Sequence, residues 1–333
     1  MRVLVTGGSG YIGSHTCKAL AKAGHEPIVV DDLRTGHPAL ALGRDIHRVD
    51  LGDATALDRL FAEQAPEAVV HFAASAYVGD SVSAPRAYYR NNVVATLNLL
   101  DTMIAHRIDR LVFSSSCATY GVPDTVPIRE DSRQAPINPY GQSKLICEHM
   151  ARDVTAAERL DCIALRYFNA SGADRDGELG EVHDPETHVL PLILHAAADP
   201  DRVFTIYGDD YPTPDGTCIR DYLHVEDLAS AHVAALGVLS GEPRYRAYNL
   251  GTGRGVSVRE LIGAATQVTG RRIAYRVVER RVGDPPQLVA DPALVAHELG
   301  WSAQASDLET IVSSAWSWMQ SPRNPLRPTS LGA

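Results

Sequence analysis

Met1-Arg2-Val3-Leu4-Val5-Thr6-Gly7-Gly8-Ser9-Gly10-Tyr11-Ile12-Gly13-Ser14-His15 opens the chain and decides its fold. Arg2 to Thr6 is a short apolar run of β-forming residues. It breaks into Gly7, Gly10 and Gly13, and a helical pattern from Tyr11 to Ala23 follows at once. A strand, a glycine turn and a helix start form an anion site, because free first-turn N–H groups and the helix dipole point at one place. A pyrophosphate suits that place, which makes Gly7, Gly10, Tyr11, Ile12 and Gly13 the candidate dinucleotide-binding residues.

The spacing is G-x-x-G-x-x-G rather than G-x-G-x-x-G. The next apolar run, Pro27 to Val30, ends in Asp31-Asp32, eighteen residues past Gly13. An acid at the end of the second strand accepts hydrogen bonds from ribose hydroxyls and repels a 2′-phosphate, so the reading is NAD rather than NADP. Asp31 could instead merely start a turn, and Arg34 is a cation that would suit a phosphate. The glycine pattern resembles that of the extended short-chain dehydrogenase/reductase superfamily.

The chain has 333 residues, 45% hydrophobic and 22% charged, enough for a full core and two lobes. A net charge of −10 argues against nucleic acid or an anionic membrane as partner. Five scattered cysteines (Cys17, Cys117, Cys147, Cys162, Cys218) without C-x-x-C spacing predict reduced thiols and a cytoplasmic location. A first strand starting at residue 2 predicts no signal peptide, and no apolar run approaches the ~20 residues of a membrane span. The Pro-rich stretch 321–333 is expected to be a flexible tail.

Strand and helix alternate through the first half. Strands are expected near 27–31, 46–50, 68–72, 110–114 and 161–166, and helices near 55–64, 85–105 and 138–157. This alternation predicts an α/β, Rossmann-type doubly wound parallel sheet with right-handed crossovers. Ligands then lie beyond the carboxyl ends of the strands, near the switch between the first and fourth. Asp50 and Leu51 at the third strand end, and Phe72, Ala73 and Ala74 at the fourth, are cofactor candidates, as is Asn91 within the long helix. Each alone reads as ordinary turn or packing chemistry; their joint position favours the cofactor.

The fifth strand ends in Ser114-Ser115-Ser116, and Tyr140-Gly-Gln-Ser-Lys144 follows inside a predicted helix. The four-residue spacing puts the phenol and the ammonium on one face. A free tyrosine has a pKa of ~10, and a cation within a few Å can lower it by roughly 1–3 units. The positive nicotinamide ring would push the same way. Ser116 can hydrogen-bond the substrate oxygen and share the proton, completing a general acid/base. A Tyr–Lys pair at this spacing is common on solvated helix faces; the glycine turn upstream and the serine run give it its meaning.

In combination these motifs resemble the UDP-glucose 4-epimerase (GalE-type) family. The resemblance is carried by the opening stretch, by Val112-Phe-Ser-Ser-Ser116, Pro139-Tyr-Gly-Gln-Ser-Lys144 and Leu165-Arg-Tyr-Phe-Asn169. Asp215-Gly-Thr-Cys-Ile-Arg-Asp-Tyr-Leu-His-Val225 and Tyr248-Asn-Leu-Gly-Thr-Gly253 extend it, and it runs to about residue 319. It implies reversible C4 epimerisation of UDP-galactose and UDP-glucose through a 4-keto sugar, with tightly bound NAD regenerated each cycle. By resemblance Tyr140, Lys144 and Ser116 are catalytic, and Ser114, Tyr167 and Phe168 also line the cofactor. Ser116, Tyr140, Asn169, His188, Val189, Leu190, Tyr207, Arg220, Arg281 and Asp284 hold the UDP-sugar. Arg220 and Arg281 are expected at the diphosphate, Tyr207 at the uracil and Asp284 at the uridine ribose, although each arginine alone reads as a surface ion pair. The NAD-binding domain is expected over 1–168 plus about 222–250, and the substrate domain over 169–221 and 251–320. A homodimer through the helices near 85–105 and 138–157 is also implied.

Three positions depart from the best-known bacterial members: Ala76 replaces a lysine, His188 an asparagine and Leu288 a tyrosine that limits the sugar pocket. They bear on sugar choice, so a UDP-N-acetylhexosamine, UDP-pentose or UDP-uronate 4-epimerase stays open. A 4,6-dehydratase would carry Asp-Glu where Cys117-Ala118 stands, and a non-catalytic NAD sensor would not need an intact acid/base set. The glycines at 251, 253 and 255 read as a tight turn, His71 as a core residue and Cys117 as packing. The thirteen histidines show no H-E-x-x-H or comparable spacing, so no metal is implied.

Overall fold

A computed structural model describes residues 1–281 and 284–327. Gly283, and residues 328–333 of the expected tail, lie outside it. The first half contains β1 (Arg2–Thr6), α1 (Tyr11–Lys22), β2 (Glu26–Val30), β3 (Ile46–His47), α2 (Ala54–Gln64), β4 (Ala68–His71), α3 (Val78–Ser83) and α4 (Pro85–Tyr88). After a π-helical turn at Tyr89–Val94 come α5 (Ala95–Ala105), β5 (Arg110–Ser116), α6 (Pro139–Ala157) and β6 (Asp161–Tyr167). The second half contains β7 (Asn169–Ser171), α7 (Val189–Ala198), β8 (Phe204–Tyr207), β9 (Ile219–Arg220), β10 (Tyr222–His224), α8 (Val225–Gly237) and β11 (Arg244–Leu250). It continues with β12 (Val256–Ser257), α9 (Val258–Thr269), β13 (Tyr275–Val278), β14 (Gln287–Leu288), α10 (Ala293–Leu299) and α11 (Leu308–Gln320). None of the described helices is long and apolar enough to cross a membrane.

Seven parallel strands form the main sheet in the order β11-β6-β5-β4-β1-β2-β3, so the switch falls between β1 and β4 as expected. Alternation along each strand sends side chains to two opposite cores. Val3, Val5, Val70 and Val112 pack on one face with Leu20 of α1 and Leu228 of α8. Leu4, Val69, Leu111 and Phe113 pack on the other with Phe61 of α2, Leu99 of α5 and Ala151 of α6. Each fully buried large side chain contributes roughly 1.5–3 kcal/mol. A third core joins α7, α9 and α11 through Ile193, Leu261 and Val312.

Three boundaries differ from expectation. The third strand stops at His47, and Asp50 and Leu51 lie in a turn closed by Gly52 N donating to Asp50 Oδ1 at 2.8 Å. The 85–105 helix is interrupted by the π turn, for reasons set out below. The fifth strand runs through Ser116, so all three serines are held in the sheet. The glycine cluster is a turn, as read: Thr252 N and Gly253 N donate to the buried Asp221 carboxylate at 2.9 and 3.0 Å.

Candidate active site

The glycine turn is built on close approach. Gly7 has φ +69°, and a Cβ there would sit 2.9 Å from Ala73 N; at Gly13 a Cβ would sit 2.1 Å from Gly7 O. Side chains at either position would push the turn away from the end of β4 or from α1. Gly10 caps α1 without a side-chain hydrogen bond, and the first helical turn carries no acid. The first-turn N–H groups of α1, at Tyr11, Ile12 and Gly13, therefore remain available to an outside anion, and a dinucleotide pyrophosphate fits. The Tyr11 side chain points elsewhere. Its hydroxyl donates to Gly172 O at 2.6 Å, fastening α1 to the segment after β7.

At the other end of the cradle, Asp31 accepts from Ser9 N and Leu33 N, each at 2.9 Å. Burial raises its carboxyl above the usual range, against those two bonds. Arg34, the residue that could have met a 2′-phosphate, is paired with Asp32 and donates to Asn91 Oδ1 at 2.6 Å. That leaves Asp31 to meet a ribose and supports NAD. Asn91 is held between Arg34 and Ser75 Oγ, at the rim of the cradle. Asp50 lies 3.7 Å from Arg34. Phe72 and Ala73 follow β4 with their amides on Thr6 O and Thr6 Oγ1, at 3.1 and 3.3 Å, and Ala74 is half-buried beside them.

Tyr140 and Lys144 are both buried on α6. Lys144 Nζ donates to Ser114 O at 2.7 Å and lies 5.1 Å from the Phe113 ring centre. The Ser116 hydroxyl hydrogen-bonds the Tyr140 phenol and accepts from Ala118 N at 3.1 Å. Burial pulls the Lys144 ammonium down to about 8. Burial also pushes the Tyr140 phenol well above its ordinary value, and the Ser116 bond only partly opposes this. The expectation that the phenol is brought toward neutrality is thus corrected for the protein alone: desolvation dominates and moves it upward. Tyr167 shares a hydrogen bond of 2.6 Å with Ser114 Oγ, and Phe168 is buried against Cys117, Tyr120 and Leu288. Burial raises the Cys117 thiol to about 12, in keeping with packing. His71 is in the core between Thr6 and Thr96, at 2.6 and 2.9 Å.

On the substrate side the structure joins residues that the sequence reading treated separately. Arg220 Nη2 donates to Asp284 Oδ1 at 2.8 Å, and the Arg281 guanidinium lies 3.8 Å from the Tyr207 ring centre. Asn169 N donates to Asp221 O at 3.0 Å, setting β7 beside the Arg220 segment. His188 caps α7, and Val189 and Leu190 are its first residues. Burial disfavours charge on His188, but Glu181 and Glu186 outweigh this and raise it to about 10. Leu288 is half-buried against the Phe168 cluster, whereas Ala76 is exposed.

A sequence profile of the NAD dependent epimerase/dehydratase family matches residues 3–251. The chain belongs to that family. Its curated relatives include the UDP-glucose 4-epimerase of Rhizobium meliloti (strain 1021), 48% identical over 316 residues, covering 95% of this chain and 96% of the relative. Among solved structures, UDP-glucose 4-epimerase from Brucella ovis in complex with NAD has a TM-score of 0.92 at 54% identity, covering 95% of this chain and 97% of the other. The Stenotrophomonas maltophila enzyme with bound NAD and formylated UDP-arabinopyranose has a TM-score of 0.92 at 40% identity, covering 96% and 97%.

Two supports of this family site escaped the sequence reading. Asn92 is buried; its Oδ1 accepts from Ser75 N at 2.8 Å, and its Nδ2 donates to Ser143 Oγ at 2.9 Å. It thereby ties the loop after β4 to the helix bearing Tyr140 and Lys144. Glu148 receives Arg166 Nη2 at 2.6 Å, the Ser115 hydroxyl and the Tyr245 hydroxyl, at 3.1 Å for the last. The only sequence signal for Asn92 is an Asn pair in the middle of an otherwise apolar helical pattern. For Glu148 it is an acid four residues past Lys144.

Proposed function

We propose that this protein interconverts UDP-galactose and UDP-glucose by reversible C4 epimerisation. The buried Ser116–Tyr140–Lys144 set, together with the uncapped first turn of α1 in a chain related over 95% of its length to a UDP-glucose 4-epimerase, carries the reading. NAD is the cofactor, and when bound it accepts and returns the C4 hydride of the sugar. Gly7, Gly10, Tyr11, Ile12 and Gly13 hold its pyrophosphate through backbone, and Asp31 its adenosine ribose. Tyr140 removes and restores the C4 hydroxyl proton, and Ser116 orients that hydroxyl. Lys144, seated on Ser114 O, keeps a cation in a site with little water to screen it, so the phenol responds strongly to any added positive charge. Arg220, Arg281, Tyr207 and Asn169 hold the uridine diphosphate end, leaving the sugar free to present either face.

The test is proton NMR of UDP-galactose with purified protein and no added NAD. Appearance of UDP-glucose, stopping at a mixture, is expected. No conversion of UDP-galactose, UDP-N-acetylgalactosamine or UDP-pentoses even with NAD added would overturn the reading. Leu288, smaller than the tyrosine it replaces, favours a secondary capacity for another UDP-sugar. We further infer a homodimer through residues 85–105 and α6, supported by Val94 and Leu97, 46% and 42% exposed. The proposed setting is galactose metabolism in the cytoplasm, in keeping with five free cysteines.

A further inference from the structure

We propose that Glu181, His183, Glu186 and His188, none of them part of the Ser116–Tyr140–Lys144 set, bind one divalent transition-metal ion of the zinc class. Each residue offers one ligand atom, and the four atoms lie within 4.8 Å of one another. His188 Nδ1 is 2.8 Å from Glu181 Oε1 and 2.9 Å from Glu186 Oε1. His183 Nδ1 is 3.0 Å from Glu181 Oε1 and 3.8 Å from Glu186 Oε2. A tetrahedral ion with bonds of about 2.0–2.2 Å sets its donors roughly 3.3–3.6 Å apart, so small shifts, outward for the closer pairs and inward for the wider ones, centre an ion among these four. Two imidazoles with two carboxylates suit zinc and its neighbours, whereas calcium and magnesium take oxygen shells.

The ligands are held by their surroundings. Trp318 Nε1 donates to Glu181 O at 3.0 Å, and Leu179 and Val182 are buried with Trp318 in one apolar cluster. Thr187 N and His188 N both donate to Glu186 Oε1 at 2.7 Å. The His183 ring meets the rings of Tyr77 and Tyr11 edge-on, at 5.8 and 6.5 Å. The second convergent acidic group offers a contrast. Asp174, Asp176 and Glu178 surround the Lys18 ammonium at 2.8, 2.9 and 2.9 Å, a cation with no lone pair to give an ion, whereas His183 and His188 each offer a ring nitrogen in exchange for a proton. The run E-x-H-x-x-E-x-H matches no stock spacing, which is why the sequence implied no metal. An ion here would clamp the segment before α7 against Trp318 of α11, and so set where Val189 and Leu190 begin.

The test is metal analysis of tag-free protein, then chelator stripping and calorimetric titration with zinc. About one zinc per chain is expected, with recovery of one site after stripping and a higher Tm on zinc addition. His183→Gln with His188→Gln should lose the site, by more than the roughly 10–100-fold that loss of an outer-shell partner costs. Lys18→Met should keep it. Cobalt(II) added to stripped wild type should give the intense visible absorption of a tetrahedral site, which locates the chemistry without any variant. Failure of folded wild type to take up zinc at micromolar concentration would overturn the proposal, as would undiminished binding by the folded double variant. These readouts do not depend on the epimerase reading.

Discussion

Tyr140 and Lys144 show why a residue's chemistry depends on its burial. Tyr140→Phe should lower turnover by roughly 10²–10⁴-fold while leaving the fold and bound NAD intact, checked by initial rates and nucleotide content. Burial lowers Lys144 to about 8 in the folded chain from its ordinary 10.5. Its charge therefore opposes folding below about pH 8, and the penalty is relieved as pH rises toward 10.5, where the unfolded chain alone still holds the proton. In nucleotide-free protein, the stability of Lys144→Met relative to wild type should be more favourable at pH 7 than at pH 10 by roughly 2–3 kcal/mol, measured by urea unfolding. The residue types and spacing of this pair were legible in the sequence. The direction of their titration was not, because desolvation is set by neighbours such as Phe113 and Tyr167 that only the fold brings near.

At the scale of elements, α6 is the part on which the site depends. Its start was legible: Asn138 accepts from Gly141 N at 2.8 Å and Pro139 occupies the first turn. Its anchoring was not, since Arg166, Ser115 and Tyr245 come from three strands of the sheet. Removing Glu148 leaves Arg166 charged and buried, so Glu148→Ala should cost about 3–5 kcal/mol by urea unfolding. Burial works against ionisation of Glu148, but Arg166 outweighs it and holds the carboxyl below its ordinary 4.5. Its contribution is therefore present above that value and fades as pH falls through the lower folded value. The gap between wild type and Glu148→Gln should narrow in the same range. The π turn has a similar origin: an ordinary helix pattern is distorted locally so that Asn91 and Asn92 both reach the Ser75 loop.

Across the whole molecule, His15, His71 and His232 are buried, and burial lowers them to about 4, 3 and 4. The unfolded chain binds protons at these sites from about pH 6.5 downward while the folded one does not. Stability should therefore fall as pH drops from about 6.5 to 4, with a slope approaching roughly 4 kcal/mol per pH unit, followed by thermal unfolding across that range. Assembly is tested on the exposed face beside the π turn. Leu97→Asp should shift the particle from dimer to monomer mass in light scattering, because a charge in an apolar contact is left unpaired.

The sequence by itself determined the doubly wound sheet, the glycine turn, the acid at the end of β2 and the Ser–Tyr–Lys order. These rest on local periodicity and on backbone requirements that travel with the residues. Tertiary structure alone decided that Arg220 meets Asp284, that Arg281 stacks on Tyr207, that Asn92 and Glu148 anchor α6, and that Glu181, His183, Glu186 and His188 converge. Those outcomes depend on side chains from separate elements sharing a small, dry volume. Spacing along the chain does not encode such volumes; packing does.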